Sequence, residues 1–415
     1  MNFVMKRSAA LLGGIGLSIL MLGALGVSVS TPGAGGATKT INVGGTWPES
    51  GPTAAASIPG YGLTAYFKYV NAHGGIRGYK INYTMLNDKY DPSTTVTDTK
   101  ELVEQDHIVA TLGSLGTPTN LAVRSYLNAQ KIPQLFLSTG YNQFSVDEKQ
   151  YPYTIGFEDQ YAEVAAEMAK HLVATDPSAK VAVLLQDTTL GAAYLSSFQR
   201  GLKGTKVKIV AKESYAPTTT SLTAQITALK ASGANVLMIF SIPGFTGFAM
   251  STAYGLGWHP QFYVDMSSNS SVTMRAVIKD TGSKTSVDGA IAAGFLPDPA
   301  DPAIADTSGM KLYLKVMKEY CKGCTVDSVY YMHGMAEGWT FVHLVNSVRG
   351  AVTSQSIFRA MQHMTQKGNP FLLSGITIHT SPNDYHVVHQ LQLFVFKGGA
   401  TTGSFRPIGK LITAL

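Results

Sequence analysis

Short apolar segments alternate with longer amphipathic segments along most of the chain, and this pattern restricts the fold more than any other feature of the sequence. Four segments from residue 41 onward are predicted strands, namely INVGGTW, KINYTMLND, IVATLGS and PQLFLSTG. The segments between them are predicted helices, namely YGLTAYFKYVNAH, TVTDTKELVEQ and TNLAVRSYLNAQ. Strands that alternate with helices at this spacing form βαβ units on a parallel sheet, so an α/β fold is expected.

The same pattern begins again at about residue 159 and continues to about residue 287. The predicted strands of this second unit are KVAVLLQD, VKIVAKESY, NVLMIFS and QFYVDM, with amphipathic helices between them. The two units share the order of their elements but not their sequence. From residue 288 the chain mixes three predicted helices with strands after residue 375. This remainder is too short and mixed for a third unit of the same kind, so we expect it to complete the first two.

Composition excludes several classes of protein. Hydrophobic residues make up 45 % of the 415 residues, which is enough to bury a core, so the chain is not expected to be disordered. Charged residues make up only 14 %, and the net charge of +6 is spread without long runs, so nucleic-acid binding is not expected. Only one apolar stretch, near the N-terminus, is long enough to cross a bilayer, which excludes a protein with several membrane spans.

The N-terminal stretch is predicted to be an export signal covering residues 1–37. Lys6 and Arg7 precede a long apolar run, and small residues follow it. Cleavage after Ser30 or after Ala37 would fit a small-x-small site. An uncleaved membrane anchor is the alternative, whereas a lipid anchor on cysteine is excluded because no cysteine lies nearby. In either case we expect an exported protein that acts in the periplasm or at the cell surface.

The two cysteines, Cys321 and Cys324, form a CKGC motif. Such a motif can be a redox centre, half of a zinc site or a local disulfide. A zinc site needs two more ligands, and neither a second CxxC nor an HxxxH is present. Redox motifs open a helix after a strand, whereas this motif follows the predicted helix KLYLKVMKEY. A disulfide in an oxidising compartment is therefore expected.

Motifs for catalysis and for cofactors are absent from the sequence. It contains no GxSxG, HExxH or Walker motif and no GxGxxG after a strand. The histidines of HTSPNDYHVVH are expected on a loop or at the surface, because positions three apart on a strand face opposite sides. We expect no enzymatic activity, no cofactor and no metal site.

The segment LGSLGTPTNLAV, residues 112–123, is the most informative one for function. A predicted strand ends there, and the chain turns through glycines into a helix for which Thr117 is the expected N-cap and Pro118 the first residue. Free amides and hydroxyl groups at such a helix start can bind a ligand carboxylate. A second strand ends nearby at LSTGY, residues 137–141, on the same carboxyl edge of the sheet, where ligands of open α/β sheets bind. Ordinary helix capping without a ligand is the alternative.

Taken together, these segments resemble the solute-binding proteins of branched-chain amino-acid ABC transporters. The resemblance extends from about Thr40 to Phe262, and weakly beyond. The segments that carry it are SGP at residues 50–52, NAHGGIRG, YDPSTTVTDTKELVEQDHIVATLGSLG, IPQLFLSTG and QDTTLGAAYLSSFQRGLKG.

The resemblance implies two doubly wound parallel-sheet lobes joined by three hinge crossovers, the type I periplasmic-binding-protein fold, with the ligand held in the cleft. Lobe I would comprise residues 38–157 and about 289–370. Lobe II would comprise residues 158–288 and about 371–415.

The resemblance also implies site residues. Thr117 occupies the position of the residue that holds the ligand carboxylate. Leu190 stands where the family commonly has an aromatic residue, and the acid that would meet a ligand ammonium falls at Asp265 or Met266. If Asp265 faces the cleft, an amino acid fits; if Met266 does, the ligand carries no ammonium, because a buried cation needs a partner. The other candidate ligand-binding residues are Pro118, Thr119, Ser138, Thr139, Gly140, Tyr141, Asn142, Trp47, Ser50, Ile242 and Phe245.

The leading hypothesis is a solute receptor of an ABC importer that closes on a small carboxylated ligand and works with a membrane permease and ATPase subunits. We expect it to be a monomer. A ligand-sensing ectodomain for a signalling partner is one alternative. A secreted α/β hydrolase is the other, although the sequence offers no nucleophile motif.

Overall fold

The computed structural model describes residues 39–413, so the predicted export signal and its cleavage sites at Ser30 and Ala37 lie outside the described residues. The helices and strands are, in chain order, β1 (Lys39–Trp47), α1 (Ile58–Ala72), β2 (Tyr79–Asn87), α2 (Pro92–Glu104), β3 (Ala110–Leu112), α3 (Thr117–Gln130), β4 (Gln134–Leu137), α4 (Gln143–Val146), β5 (Thr154–Gly156), α5 (Tyr161–Thr175), β6 (Lys180–Gln186), α6 (Thr189–Gly201), β7 (Lys208–Tyr215), α7 (Thr223–Ala231), β8 (Val236–Phe240), α8 (Pro243–Gly255), β9 (Gln261–Val264), α9 (Ser271–Thr281), β10 (Ile291–Gly294), α10 (Ser308–Tyr320), α11 (Val329–Ser347), α12 (Ser354–Met361), β11 (Thr365–Lys367), β12 (Thr377–His379), β13 (Gln390–Lys397) and β14 (Ser404–Thr413).

Two main sheets are built from these strands. The first has the order β2-β1-β3-β4-β5, and all of its neighbouring strands are parallel. The second has the order β14-β13-β10-β9-β8-β6-β7 and is parallel from β7 to β10. Its last two strands, β13 and β14, are antiparallel. The strand order β2-β1-β3-β4-β5 of the first sheet recurs in the second sheet as β7-β6-β8-β9-β10. The predicted pair of doubly wound α/β units is therefore present.

The core of each sheet is apolar because helices cover both faces of a parallel sheet. All five residues of β8, VLMIF, are buried, and so are the three of β3 and the four of β4. These continuous apolar runs are typical of central parallel strands.

The C-terminal region is shared between the two sheets. Helices α10 and α11 pack against α1 beside the first sheet, whereas β13 and β14 extend the second sheet. Strand β10, at residues 291–294, pairs with β9 in the second sheet. Sheet pairing therefore places residues 291–294 with the second unit, whereas the sequence-based boundary assigned residues of about 289–370 to the first lobe. The division into lobes by residue number stays a prediction.

The predicted cap of helix α3 was wrong in one detail. Gly116 is the N-cap residue, with a φ of 104°, and Thr117 is the first helical residue without a capping bond. A positive φ is costly for residues other than glycine, so the glycine takes the turn and the threonine side chain is free for another contact.

Helices α1 and α11 approach each other closely because glycines stand at their contact. A Cβ atom at Gly62 would collide with the carbonyl oxygen of Tyr331, and one at Gly334 with the carbonyl oxygen of Pro59. This close backbone contact determines the position of α11 relative to α1 and the first sheet.

Two further features concern the surface of the molecule. Cys321 and Cys324 are joined by a disulfide directly after α10. Within residues 39–413, the helices are either too short or too polar to span a bilayer.

Replacing Gly334 by alanine is predicted to destabilise the protein by about 1–3 kcal/mol, the usual cost of overpacking a tight contact. The matched control is Gly255→Ala at the exposed end of α8, where a Cβ meets no atom within 4 Å. Because alanine favours a helix over glycine, the control is expected to be neutral or slightly stabilising. Urea unfolding of both variants measures the difference, and equal midpoints would contradict the role of the glycine contact.

Candidate functional site

A cavity lies between the two sheets, at the carboxyl ends of strands from both. Its residues follow β1 to β5 in the first sheet and β6, β8, β9 and β10 in the second, and helix α11 closes one side. The lining residues are Ala56, Pro59, Tyr90, Leu115, Gly116, Ser138, Glu158, Tyr161, Leu190, Ile242, Pro243, Met266, Ser267, Asn269, Gly294, Phe295, Leu296, Val329, Tyr330 and His333. Parallel sheets bind ligands at this edge because the strand-to-helix loops and helix starts converge there.

Most of the cavity wall is apolar. The second sheet contributes Leu190, Ile242, Met266 and Phe295, all of which are buried. A wall of this kind, with a few polar groups at defined places, is typical of sites for small molecules.

Three hydroxyl groups form a connected set beside Gly116, which lines the cavity. The Thr117 and Thr139 hydroxyl oxygens are 2.7 Å apart. The Tyr161 hydroxyl oxygen lies 3.0 Å from that of Thr139 and 3.4 Å from that of Thr117. Of the three, Tyr161 lines the cavity directly. This set and the start of α3 provide neutral hydrogen-bond donors.

A second polar group consists of Ser138, Glu158, His333 and Glu337. The Ser138 hydroxyl donates to Glu337 Oε1 at 2.7 Å. His333 Nε2 lies 3.3 Å from Glu337 Oε1 and 3.8 Å from Glu158 Oε1. His333 and Glu337 are four residues apart on α11 and so share one helix face. We call these four residues the acid–imidazole cluster.

Burial controls the charge of this cluster. Desolvation, with a smaller contribution from Asp265, raises the pKa of Glu158 to about 8. Desolvation also raises the pKa of Glu337 well above its usual range, and the nearby Glu158 adds to this. The same cause lowers the pKa of His333 to about 3. Burial therefore favours the neutral forms of both partners in the contact between His333 and Glu337.

The geometry of the cluster differs from that of a hydrolase site. The Ser138 hydroxyl is directed at a carboxyl group and not at the imidazole of His333, so this set lacks a nucleophile activated by a base. Among residues 39–413, no three His, Cys, Asp or Glu side chains are grouped so that they could hold a metal ion.

Asp265 and Met266, the two candidates at the end of β9, have different positions relative to the cavity. Met266 lines the cavity. Asp265 is buried beside it, and its Oδ2 accepts a hydrogen bond of 2.6 Å from the Ser241 amide. Burial raises the pKa of Asp265 to about 8.

The other sequence-predicted residues lie at or behind the edges of the cavity. Ser138, Leu190 and Ile242 line it, whereas Thr117 and Thr139 stand behind Gly116 and Tyr161. The remaining candidates make other contacts in the structure. Four of them make hydrogen bonds through their side chains: Trp47 donates to the Tyr83 hydroxyl, Ser50 accepts from Asn87, Thr119 donates to Gly116 O, and Asn142 donates to Gln160. Two aromatic candidates pack on other rings, Phe245 on Tyr215 and Tyr141 on Phe144. Pro118 is the second residue of α3, and Gly140 O accepts from the Tyr161 amide.

Sequence reasoning missed the acid–imidazole cluster. His333 and Glu337 were available as an i, i+4 pair in HGMAE, and Glu158 as an acid directly after an apolar run in TIGFED. His386 lies on a loop, as predicted, but its side chain is buried, with its Nε2 3.2 Å from Glu163 Oε2.

Comparisons with known proteins agree with the fold. A sequence profile described as "Periplasmic binding protein" matches residues 40–401. Leu/Ile/Val-binding protein homolog 7 of Brucella abortus is 22 % identical over 239 residues, which is 56 % of this chain and 60 % of the relative. The chain thus spans about 60 % of the length of the curated relatives it matches.

Solved structures cover more of the chain. A branched-chain amino acid ABC transporter protein from Thermus thermophilus with bound valine has a TM-score of 0.78 at 18 % identity and covers 91 % of this chain and 97 % of its own. A solute-binding protein from R. palustris in complex with 4-hydroxybenzoate has a TM-score of 0.76 at 15 % identity, with 91 % and 98 % covered. The fatty acid ABC transporter substrate-binding protein from Thermomonospora curvata has a TM-score of 0.75 at 16 % identity, with 91 % and 93 % covered. At these identities the similarity concerns the fold.

The buried acids predict how stability depends on pH. Glu158 keeps its proton in the folded state up to about pH 8, whereas an unfolded glutamate loses it near 4.5. The folded state then binds more protons, so stability falls as pH rises through this window, by at most about 1.4 kcal/mol per pH unit for this residue. The lowered pKa of His333 has the opposite effect, because it makes stability rise with pH, but only below pH 6.5, the ordinary pKa of histidine.

Urea unfolding of the ligand-free protein at pH 6.5, 7.5 and 8.5 is therefore expected to give falling midpoints. Glu158→Gln removes one titrating group, so the urea midpoint of this variant is expected to decrease less with pH. Glu101→Gln on the exposed face of α2 serves as the control and should follow the unchanged protein. A Glu158→Gln profile as steep as that of the unchanged protein would show that Glu158 is ionised in the fold.

Proposed function

Because the chain belongs to the periplasmic binding protein family, we propose that it is the extracytoplasmic solute receptor of an ABC importer. It binds a small ligand in the cavity described above and delivers it to a membrane permease. The observation that carries the proposal is one cavity whose walls come from the carboxyl edges of both sheets.

Closure of the cavity follows from the way the chain connects the two sheets. It passes from one side to the other between β5 and β6, after β10, and again before β13. Three connections between the two sheets can act as a hinge, and ligand contacts from both sheets favour the closed arrangement. The proposed lobes are the first sheet with α10 and α11, and the second sheet with β13 and β14.

The cavity fits a ligand with an apolar body and a carboxylate. Leu190, Ile242 and Phe295 provide the apolar wall. The carboxylate is proposed to lie at the start of α3, where the Tyr161 hydroxyl lines the cavity and the Thr117 hydroxyl stands directly behind it. The ligands named for the similar structures, which are valine, 4-hydroxybenzoate and fatty acids, share this combination.

A thermal-shift screen with valine, 4-hydroxybenzoate and decanoate tests the proposed function. A ligand that binds only the folded state raises the melting temperature as its concentration exceeds the dissociation constant. Leu190→Trp fills the cavity and is expected to abolish the shift, whereas Leu314→Trp on the surface of α10 retains it. A shift that persists in folded Leu190→Trp would place the ligand elsewhere.

Thr117→Val removes one donor of the hydroxyl set without changing the shape of the side chain. Hydrogen bonds to a charged group contribute about 1.5–3 kcal/mol, so affinity for the binding carboxylate from the screen is expected to fall about 10- to 100-fold. The fold should persist, because Thr139 keeps its contact with Tyr161. Calorimetry measures the change, and Thr227→Val on exposed α7 is the matched control. If Thr117→Val binds the carboxylate with unchanged affinity, Thr117 has a structural role and does not contact the ligand.

A further inference from the structure

A second open space lies between helices α8 and α9, outside the cavity described above. Gly244, Gly247 and Ser251 line it from α8, and Thr273 and Val277 line it from α9. We call this space the α8–α9 groove. Its volume is about 400 Å³, which lies in the range of sites that take small molecules.

The groove exists because small residues stand at helical spacing on one face of α8. Gly244, Gly247 and Ser251 are three or four positions apart and so are neighbours on the helix surface. A Cβ atom at Gly247 would lie 3.6 Å from the Thr273 methyl group and 3.8 Å from a Val277 methyl group. A methyl group at residue 247 would thus already touch α9, and a larger side chain there would fill the groove.

The α8–α9 groove adjoins the cavity between the two sheets. Pro243 and Tyr330 line both spaces. Four further segments place one residue in each space and its direct neighbour in the other, namely Ala55 and Ala56, Ile58 and Pro59, Asn269 and Ser270, and Ser328 and Val329. The half-buried Tyr330 side chain, whose hydroxyl donates to Ser267 O at 2.9 Å, is part of the shared wall. A change of its rotamer can open that wall.

Charge determines which part of a ligand the groove can take. Among the described residues that line it, the one charged side chain is Asp280. A carboxylate in the groove would be repelled by Asp280 and would find no cation there. Phe248, which also lines the groove, is 54 % exposed, and an apolar groove with an exposed aromatic ring is typical of a binding site. The groove therefore fits an uncharged, apolar part of a ligand.

We propose that the α8–α9 groove binds the apolar tail of a ligand whose carboxylate lies in the cavity. The proposal rests on the proposed function and names its ligand class, which is straight-chain acids that are longer than the cavity alone can hold. The cavity has a volume of only about 60 Å³, against about 400 Å³ for the groove. Ile242 of the apolar cavity wall directly precedes Pro243, so a chain that follows this wall reaches the boundary of the groove.

A series of straight-chain acids of even length, from butanoate to dodecanoate, tests the proposal by calorimetry. Each methylene group that is fully buried tightens binding about fourfold. Burial in an open groove is only partial, but six added methylene groups are still expected to make dodecanoate bind at least about 10-fold more tightly than hexanoate.

Variants of α8 locate the tail. Gly247→Leu fills the groove and is expected to reduce the difference between the two acids to less than about threefold, because the last methylene groups then stay in water. Ser251→Leu is the second variant if Gly247→Leu does not fold. Gly255→Leu is the matched control on the same helix, at a position where a Cβ meets no atom within 4 Å, and it should retain the full difference.

Two further measurements test the direction of the ligand. Leu190→Trp fills the cavity and is expected to abolish binding of both acids, so dodecanoate binding that is unchanged in folded Leu190→Trp would overturn the proposal. Dodecanoate with a photoreactive diazirine at its last carbon is expected to label α8 or α9. A label confined to other elements would also overturn it.

The outcomes separate the tail site from the proposed function. Dodecanoate that binds no more tightly than hexanoate, or a difference that survives in both folded groove variants, would overturn the tail site but leave a solute receptor. A dimer of the ligand-free protein that dissociates in Gly247→Leu would assign the groove to a second copy of the chain, with the same consequence. Absence of any shift in the whole thermal-shift screen would contradict both proposals.

Discussion

Parallel pairing of strands is the constraint on which the site depends. Because every strand from β1 to β5 points the same way, the residues after β3, β4 and β5 reach one edge of the first sheet. The same holds for β8, β9 and β10 in the second sheet, and the two edges enclose the cavity. The close contact of α1 and α11 at Gly62 and Gly334 adds a wall from the C-terminal region and brings His333 and Glu337 to that edge.

The acid–imidazole cluster is costly for an empty protein. Each buried carboxyl either carries an uncompensated charge or gives up the solvation it has in water, and neither is favourable without partners. A protein can keep such groups where they contribute to function, since perturbed ionisable groups are concentrated at functional sites. In this chain Glu158 follows β5, whereas His333 and Glu337 belong to α11, so groups from two distant segments meet beside the cavity. This favours a functional explanation over chance burial.

The sequence was sufficient to predict the elements and their order, because long apolar runs such as VLMIF in β8 and amphipathic helices such as α1 have clear periodicities. The elements it missed include β5 and α9. Strand β5 has only three residues, too few to show a period. Helix α9 does have apolar residues at helical spacing, with Met274, Val277 and Ile278 buried, so the sequence carried a signal for it. The start of α3 was recognisable from the glycines and Pro118, but not that Thr117 turns to Thr139 instead of capping the helix.

The polar half of the site was beyond the sequence for a different reason. Ser138 and Glu337 are 199 positions apart, and the contact between them depends on how α11 settles against the first sheet. Nothing in the local pattern around either residue specifies that distance. The i, i+4 spacing of His333 and Glu337 is compatible with an exposed helix face as well as with a buried one.

The two polar groups of the site lie next to each other along the chain, and this restricts the proposed ligand further. Ser138 contacts the acid–imidazole cluster, and its neighbour Thr139 contacts the hydroxyl set of Thr117 and Tyr161. Consecutive Cα atoms are only about 3.8 Å apart, so a carboxyl-containing and a hydroxyl-containing region adjoin at this end of the cavity. A ligand that satisfies both must carry its polar groups close together and direct its apolar body toward Leu190 and Ile242. A ligand with polar groups at opposite ends of a long chain would leave one of the two regions without partners.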